Sequence, residues 1–386
     1  MRRFVLIFAT LSALFACDRQ PLSQRMVESE MRRCPTAADL DGMAGKLKWN
    51  YTPGLEMLAF LDVGDNVEYV DAWYDAIIRE DGNIGANYKR GNYNVDHICP
   101  GRTLFKLYDL TGKQKYRAAL DSIYMQVKTQ PRTEAGAFWH KKIYPYQVWL
   151  DGFYMAQPFY AQYSARYLDQ EAAEANFSDI AKQFTVAYDK CMDPATGLLR
   201  HAWDETRSMF WADPATGQSA HAWGRAMGWY LMAIVDVLDW MPENHPDREG
   251  LIGILRTLLD RLQEYDDPAT GMWYQVLDCP GREGNYIEST CSAMFTYVYL
   301  KAAAKGYAPE YGKYARRLYR KLVKTFIREE ADGTITLTEC CAVAGLGGKE
   351  NRSGDYDYYI HEKKCENDPK GVGPFIWASL YNENRI

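Results

Sequence analysis

One pentapeptide occurs three times in this chain: Asp193-Pro194-Ala195-Thr196-Gly197, Asp213-Pro214-Ala215-Thr216-Gly217 and Asp267-Pro268-Ala269-Thr270-Gly271. Proline sets φ for a turn and glycine supplies a left-handed exit, so each copy reads as a tight reversal. The first and third copies follow a long amphipathic stretch and precede an apolar patch, Leu198-Leu199 and Met272-Trp273-Tyr274. Beyond residue 45 the apolar pattern is helical almost throughout. Leu55, Leu58, Ala59 and Leu61 to Val63 make one face; Val67, Val70, Trp73, Tyr74, Ile77 and Ile78 make the next, closed by Asp81-Gly82-Asn83. Further helical windows fall near 96–110, 114–128, 146–168, 172–190, 221–241, 248–265, 286–304, 309–328 and 372–383. With one more over 23–45 there are about twelve helices. Strand alternation is scarce, and Thr334-Ile335-Thr336-Leu337-Thr338 is its best candidate. A helix–turn–helix unit recurring every roughly 50 to 70 residues predicts six hairpins closed into an all-α (α/α)6 barrel. A solenoid of helix pairs is the alternative, normally with a shorter period.

With 386 residues, 47% of them hydrophobic, the chain can bury a large core, and intrinsic disorder is excluded. A formal charge of −6 and the lack of any basic block argue against a nucleic-acid partner. The 11 Trp and 29 Tyr exceed what a core needs, and such rings pack well on the C–H faces of sugars.

The first residues read as an address. Met1-Arg2-Arg3 is positive, and Phe4 to Ala16 is an apolar run too short to span ~30 Å of hydrocarbon, which fits a leader over 1–16. Leu14-Phe15-Ala16-Cys17 resembles a bacterial lipobox, so Cys17 is the expected lipidation site and a lipid anchor the expected membrane contact; unmodified secretion is the alternative. The chain then divides into an N-terminal segment, 17–45, and a single catalytic domain, 46–386, with no evident linker. The expected location is the periplasm or cell envelope. Export permits disulfides, but no pairing can be read from the spacing.

Several polar residues stand where apolar ones are expected. Asp151 lies in Tyr146-Gln147-Val148-Trp149-Leu150-Asp151-Gly152-Phe153-Tyr154-Met155, flanked by apolar side chains. Desolvation there raises a carboxyl pKa, as a general acid near neutral pH requires; a core Asp bonded to a neighbouring helix is the other reading. Asp96, in Asn94-Val95-Asp96-His97, is either the N-cap of the 96–110 helix or a second carboxylate at the barrel mouth. His140 and Lys141 follow Phe138-Trp139 just before the Asp151 helix, placed to hold an anionic group or to serve structure. His201 follows the first repeated turn, as a site residue or an exposed loop histidine. In Trp223-Gly224-Arg225-Ala226-Met227-Gly228-Trp229 an Arg fork between indoles suits a uronate, charge and ring together, or makes a structural stack. No metal-ligand spacing, phosphate loop, Gly-x-Ser-x-Gly elbow or dinucleotide fingerprint occurs, so neither metal nor cofactor is expected.

Taken in order, these pieces resemble glycoside hydrolase family 105, the unsaturated rhamnogalacturonyl hydrolases, and more distantly the unsaturated glucuronyl hydrolases of family 88. The resemblance runs from about Trp49 to the C-terminus. It rests on Trp49-Asn50-Tyr51-Thr52-Pro53-Gly54, Asn94-Val95-Asp96, Phe138-Trp139-His140-Lys141, Trp149-Leu150-Asp151-Gly152, the Trp223–Trp229 stretch and Lys370-Gly371-Val372-Gly373-Pro374-Phe375. The stretch departs from the family's usual pattern in having Ala-Met between Arg and Gly. The resemblance implies an (α/α)6 barrel, Asp151 as proton donor and Asp96 as second active-site carboxylate. It implies substrate contacts from Tyr51, His140, Lys141, His201, Trp223, Arg225 and Trp229. The implied substrate is a lyase product ending in a 4,5-unsaturated uronic acid, hydrated at its C4=C5 bond. An inverting glycosidase acting on saturated acidic oligosaccharides and a non-catalytic glycan-binding lipoprotein are the rival readings.

Overall fold

The computed structural model describes residues 20–64 and 66–386; the expected leader over 1–16 and Cys17 lie outside them. Thirteen α-helices run through the described chain. They are α1 (Leu22–Arg33), α2 (Tyr51–Val63), α3 (Val67–Ile77), α4 (Gly101–Thr111), α5 (Gln114–Thr129), α6 (Asp151–Tyr167) and α7 (Gln170–Cys191), then α8 (Gly224–Val237), α9 (Arg248–Leu262), α10 (Ser289–Ala304), α11 (Gly312–Phe326), α12 (Tyr356–His361) and α13 (Pro369–Asn382). Six of them pack side by side in a closed ring, α2 on α4, then α6, α8, α10, α13 and back to α2. An outer helix precedes each inner one, α1, α3, α5, α7, α9 and α11, and short α12 stands apart. This is the all-α (α/α)6 barrel expected from the repeated hairpins.

Burial sorts the two rings. Every residue of α8 is buried, as is the run Ser289–Ala302 of α10, because an inner helix has neighbours on all sides. Outer helices bury one stripe: on α11 it is Ala315, Leu318, Tyr319, Leu322 and Phe326, at helical spacing. All three pentapeptides make the expected reversal. Gly197, Gly217 and Gly271 have φ of 70°, 82° and 68°, and each donates its N–H to the carbonyl of the Asp that opens its turn. The Asp carboxylate accepts from the Thr hydroxyl of the same turn.

Consecutive inner helices all run the same way, since one outer helix returns the chain between each and the next, with short α12 as an addition between α11 and α13. Their N-termini therefore gather at one mouth, where Tyr51, Asp151, Gly224 and Pro369 begin their helices. Below the mouth the ring is filled by Tyr154, Met227 and Trp229, none more than 1% exposed. Lower still, Asp236 bonds Arg102 at 2.8 Å, Lys301 at 2.8 Å and the Tyr297 hydroxyl at 2.6 Å, tying α4, α8 and α10 together.

Short strands occupy the loops: β1 (Gln147–Trp149) pairs β2 (Ala202–Asp204), β3 (Ile327–Glu329) pairs β4 (Ile335–Leu337), and β5 (Cys340–Cys341) pairs β6 (Lys364–Cys365), all antiparallel. β4 is the strand expected at 334–338. Three of the expected helical windows are too long. The stretch before Asp151 is β1, because Val148 and Trp149 find partners in Trp203 and Ala202. The 96–110 window is a 3-10 turn, Val95–His97, then α4; Pro100 disfavours helix in the residue before it. The 23–45 window is likewise α1 followed by a 3-10 turn, Ala37–Gly42. α1 packs against α13 and α2, and Ser23 bonds Glu383 near the C-terminus.

Candidate active site

Asp151 is the first residue of α6, at the mouth, and not within the body of a helix as its apolar flanks suggested. The Leu150 N–H donates to the carbonyl of His201, which draws the β2 hairpin against the start of α6. His201, fully buried, then brings Nε2 to 3.1 Å from Asp151 Oδ2, an ion-pair contact whose N–H is not aimed squarely at the oxygen. On its other side His201 Nδ1 lies 2.7 Å from the hydroxyl of Tyr359, which is also fully buried. His201 is therefore not an exposed loop histidine.

The second carboxylate is positioned by the opposite loop. Asn94, not Asp96, caps the 3-10 turn, its side chain accepting the Asp96 N–H. The Val95 N–H donates to the His140 carbonyl, and Asn94 bridges Lys141. This sets Lys141 Nζ at 2.6 Å from Asp96 Oδ2 and His140 Nε2 at 3.6 Å from Oδ1. The His140 ring stacks on Trp149 with centroids 4.7 Å apart, and Tyr144 stacks on Trp149 in turn at 5.2 Å. Gly152 admits this ring, since a Cβ there would lie 3.1 Å from His140 Nδ1. Both carboxylates keep a window on solvent, with side chains 16% exposed for Asp151 and 15% for Asp96.

The electrostatics reverse one expectation. Burial does push the Asp151 carboxyl up, but the charge and contact of His201, with His140 and Arg225 behind, outweigh it and hold the group below the usual carboxylate value. The apolar flanks were visible in sequence; the imidazole delivered from another loop was not. Asp96 follows the same pattern, burial raising it and Lys141 and His140 lowering it further. Burial pushes His140 down to about 4, against the pull of Asp96, so it is a neutral ring at neutral pH.

The remaining expected residues stand behind the cleft wall. Trp223 and Trp229 are each 1% exposed, so neither offers an open face to a sugar. Trp223 packs on His201 and Tyr359 and donates to Gln275 Oε1; Trp229 packs on Tyr51 and Tyr154. Arg225 lies 4.6 Å over the Trp223 ring, is 2% exposed, and donates to the Cys341 carbonyl, so one arm of its fork is committed inside the protein. Tyr51, half-buried, opens α2 beside them. Sequence reading missed Tyr359 and Trp149. Tyr359 sits on α12, six residues of helix in the otherwise irregular stretch 342–363 and too short for a periodic signal, and Trp149 stands in the sequence only as a flank of Asp151.

Among the described residues one group has metal-ligating character. His221 Nδ1, Asp278 Oδ2 and Cys279 Sγ lie within 4.8 Å of one another. Arg200 Nη1 already pairs with the same Asp278 oxygen at 2.6 Å, so the anionic charge there is met without an ion.

Comparison with known proteins gives a consistent picture. The sequence model of Glycosyl Hydrolase Family 88 matches residues 22–385. A family 105 glycoside hydrolase from C. acetobutylicum ATCC 824 superposes with a TM-score of 0.89 at 41% identity, covering 95% of this chain and 100% of that one. The curated "Protein Atu3128" of Agrobacterium fabrum is 38% identical over 234 residues, 58% of this chain and 96% of its own. An unsaturated glucuronyl hydrolase from Bacillus sp. GL1 shares the fold at 10% identity, with a TM-score of 0.64 and coverage of 93% and 94%.

Proposed function

The chain belongs to glycosyl hydrolase family 88 and is a glycoside hydrolase, and on that premise we propose that it removes a terminal 4,5-unsaturated uronic acid from oligosaccharides left by a polysaccharide lyase. The observation that carries this reading is the Asp151–His201 pair at the mouth where the inner-helix N-termini converge. The N-termini of α2, α6, α8 and α13 point their positive ends at that mouth, which favours an anionic sugar.

The C4=C5 bond of such a sugar is an enol ether, because C5 also bears the ring oxygen. Asp151, protonated, gives its proton to C4, and the positive charge at C5 is shared with the ring oxygen. The carboxylate then takes a proton from water as that water attacks C5. The hemiketal so formed opens, and the glycosidic bond breaks as a result. No covalent nucleophile is required.

Asp151 is held ionised in the free protein, and the pair resolves this difficulty. Imidazolium beside carboxylate contains the same proton as imidazole beside carboxylic acid, so the 3.1 Å contact lets that proton pass between the two side chains without a third group. A uronate carboxylate arriving next to it, and the water it displaces, favour the uncharged arrangement in which Asp151 carries the proton. Tyr359 fixes the His201 ring for that exchange. Asp96, steadied by Lys141, orients water or a ring hydroxyl.

The likeness to family 105 supports a rhamnogalacturonan fragment of pectin as the source of the substrate. The leader-like residues 1–16 and Cys17 support an exported, lipid-anchored protein of the periplasm or envelope. The test is to incubate the protein with lyase digests of pectin, arabinogalactan and glycosaminoglycan. Ultraviolet absorbance of the conjugated double bond decays in the digest that contains the substrate, while saturated oligosaccharides of the same sugars stay whole. Cleavage of the saturated set would favour an inverting glycosidase instead.

A further inference from the structure

Cys340 and Cys365 face each other across β5 and β6. The Ala342 N–H donates to the Lys363 carbonyl, which makes Cys340 and Cys365 a hydrogen-bonded pair site, where Cα atoms sit about 5.5 Å apart and side chains share a face. That spacing lies within the about 4.4–6.8 Å that a disulfide spans. Both sulfurs are directed away from the Cys341 side. Cys340 Sγ accepts from Ser289 Oγ at 3.1 Å and Cys365 Sγ lies 3.6 Å from Asp368 Oδ2, whereas Cys341 Sγ accepts from Gln275. All eight cysteines from Cys34 to Cys365 are free thiols, and of this pair Cys340 is buried while Cys365 is half-buried and accessible.

The pair stands at the two feet of the excursion 342–363. That excursion carries Tyr359 to His201 and packs Leu346 against Trp149 and Trp211. We propose that Cys340 and Cys365 form a redox modification site, joined as a disulfide when the folded protein meets a small-molecule disulfide, so that the excursion forming one wall of the cleft is stapled at its base. In the first step the Cys365 thiolate attacks one sulfur of oxidised glutathione, forming a mixed disulfide and releasing one glutathione. In the second, the Cys340 thiolate attacks Cys365 Sγ, forming the internal disulfide and releasing the other. Two protein thiols are oxidised and one glutathione disulfide is reduced to two thiols, with no net proton. Burial and the Asp368 carboxylate push the Cys365 thiol up to about 12, so the reaction is slow at neutral pH and quickens about tenfold per pH unit.

The test treats the full folded chain, reduced and freed of reductant, with oxidised glutathione, followed by alkylation and trypsin. Peptide 329–349 should be recovered linked to peptide 365–370, with fragment ions placing the bond on Cys340; the species disappears on reduction. It should persist in Cys341→Ser and be absent from Cys365→Ser. Three results would overturn the proposal: full alkylation of both thiols after prolonged oxidation, a link through Cys341, or arrest at a glutathione adduct on Cys365. Fragment-ion assignment in the unsubstituted protein keeps the test decisive even if a variant folds poorly.

Discussion

His201 Nε2 lies 3.1 Å from Asp151 Oδ2, and this contact, not the apolar surroundings, decides the charge of the carboxyl in the free protein. The behaviour of this pair separates the proposed hydration chemistry from a simple structural bridge.

Asp151→Asn keeps the shape of the side chain and removes the acid. Loss of a general acid costs about 10²–10⁴ in rate, so turnover of an unsaturated uronide should fall by that amount with the melting temperature little changed. Wild-type turnover in the variant would end the assignment.

Replacing His201 by Gln removes the cation that pulls the Asp151 carboxyl down, while burial remains. Carboxyl carbon NMR should show Asp151 titrating at higher pH in His201→Gln than in the parent. The sign for stability follows. A carboxyl lowered in the folded state contributes above its unfolded value of about 3.9 and loses that contribution as pH falls through the folded value. The acid side of the stability profile should therefore be flatter in the variant.

Free and substrate-bound protein should also differ in pH dependence. Bound uronate favours the protonated pair, so the alkaline fall of kcat should lie at higher pH than that of kcat/KM. Coincident limbs would mean that the substrate carboxylate does not sit near Asp151.

Gly152→Ala places a methyl 3.1 Å from His140 Nδ1. The ring must give way by a few tenths of an ångström against Trp149, which holds it from the other side, and such overpacking costs about 1–3 kcal/mol. Activity should drop with Asp151 intact, and the loss should be smaller in a double variant that also shortens His140. Parental stability and rate in Gly152→Ala would show that the ring stack is dispensable.

At the far end of the ring, Asp236 is 3% exposed and meets Arg102, Lys301 and Tyr297. Asp236→Ala leaves the buried Arg102 without its anion and Lys301 with Asp239 alone, and breaking such a cluster costs about 3–5 kcal/mol. Chemical denaturation should register that loss, while the Michaelis constant of the folded fraction should hold.

The sequence is informative about the barrel because its information is local. Each Asp-Pro-Ala-Thr-Gly turn closes on its own residues, and each outer helix writes its buried stripe in its own spacing, as α11 does. The site is less legible because it is assembled from separate loops. Asp151 could be picked out from its flanks, yet its partner His201 comes from the loop that leads into β2, and its helix start is set by pairing with that strand. Asp96 reads in sequence as an N-cap or a second carboxylate, and the first reading fails because α4 begins only after Pro100 and Asn94 caps the turn before it. The fork of Arg225 suggested a ligand contact, and only the folded chain reveals the Cys341 carbonyl that occupies one arm. Tyr359 had no local signature at all.

The floor of Tyr154 and Trp229, with ring centroids 5.0 Å apart and the Asp236 cluster beneath it, also governs traffic. A polymer cannot be threaded through this ring, so substrate must enter and product must leave by the same mouth. Whatever is released has to back out the way it came, so that one opening carries both the arriving and the departing molecule.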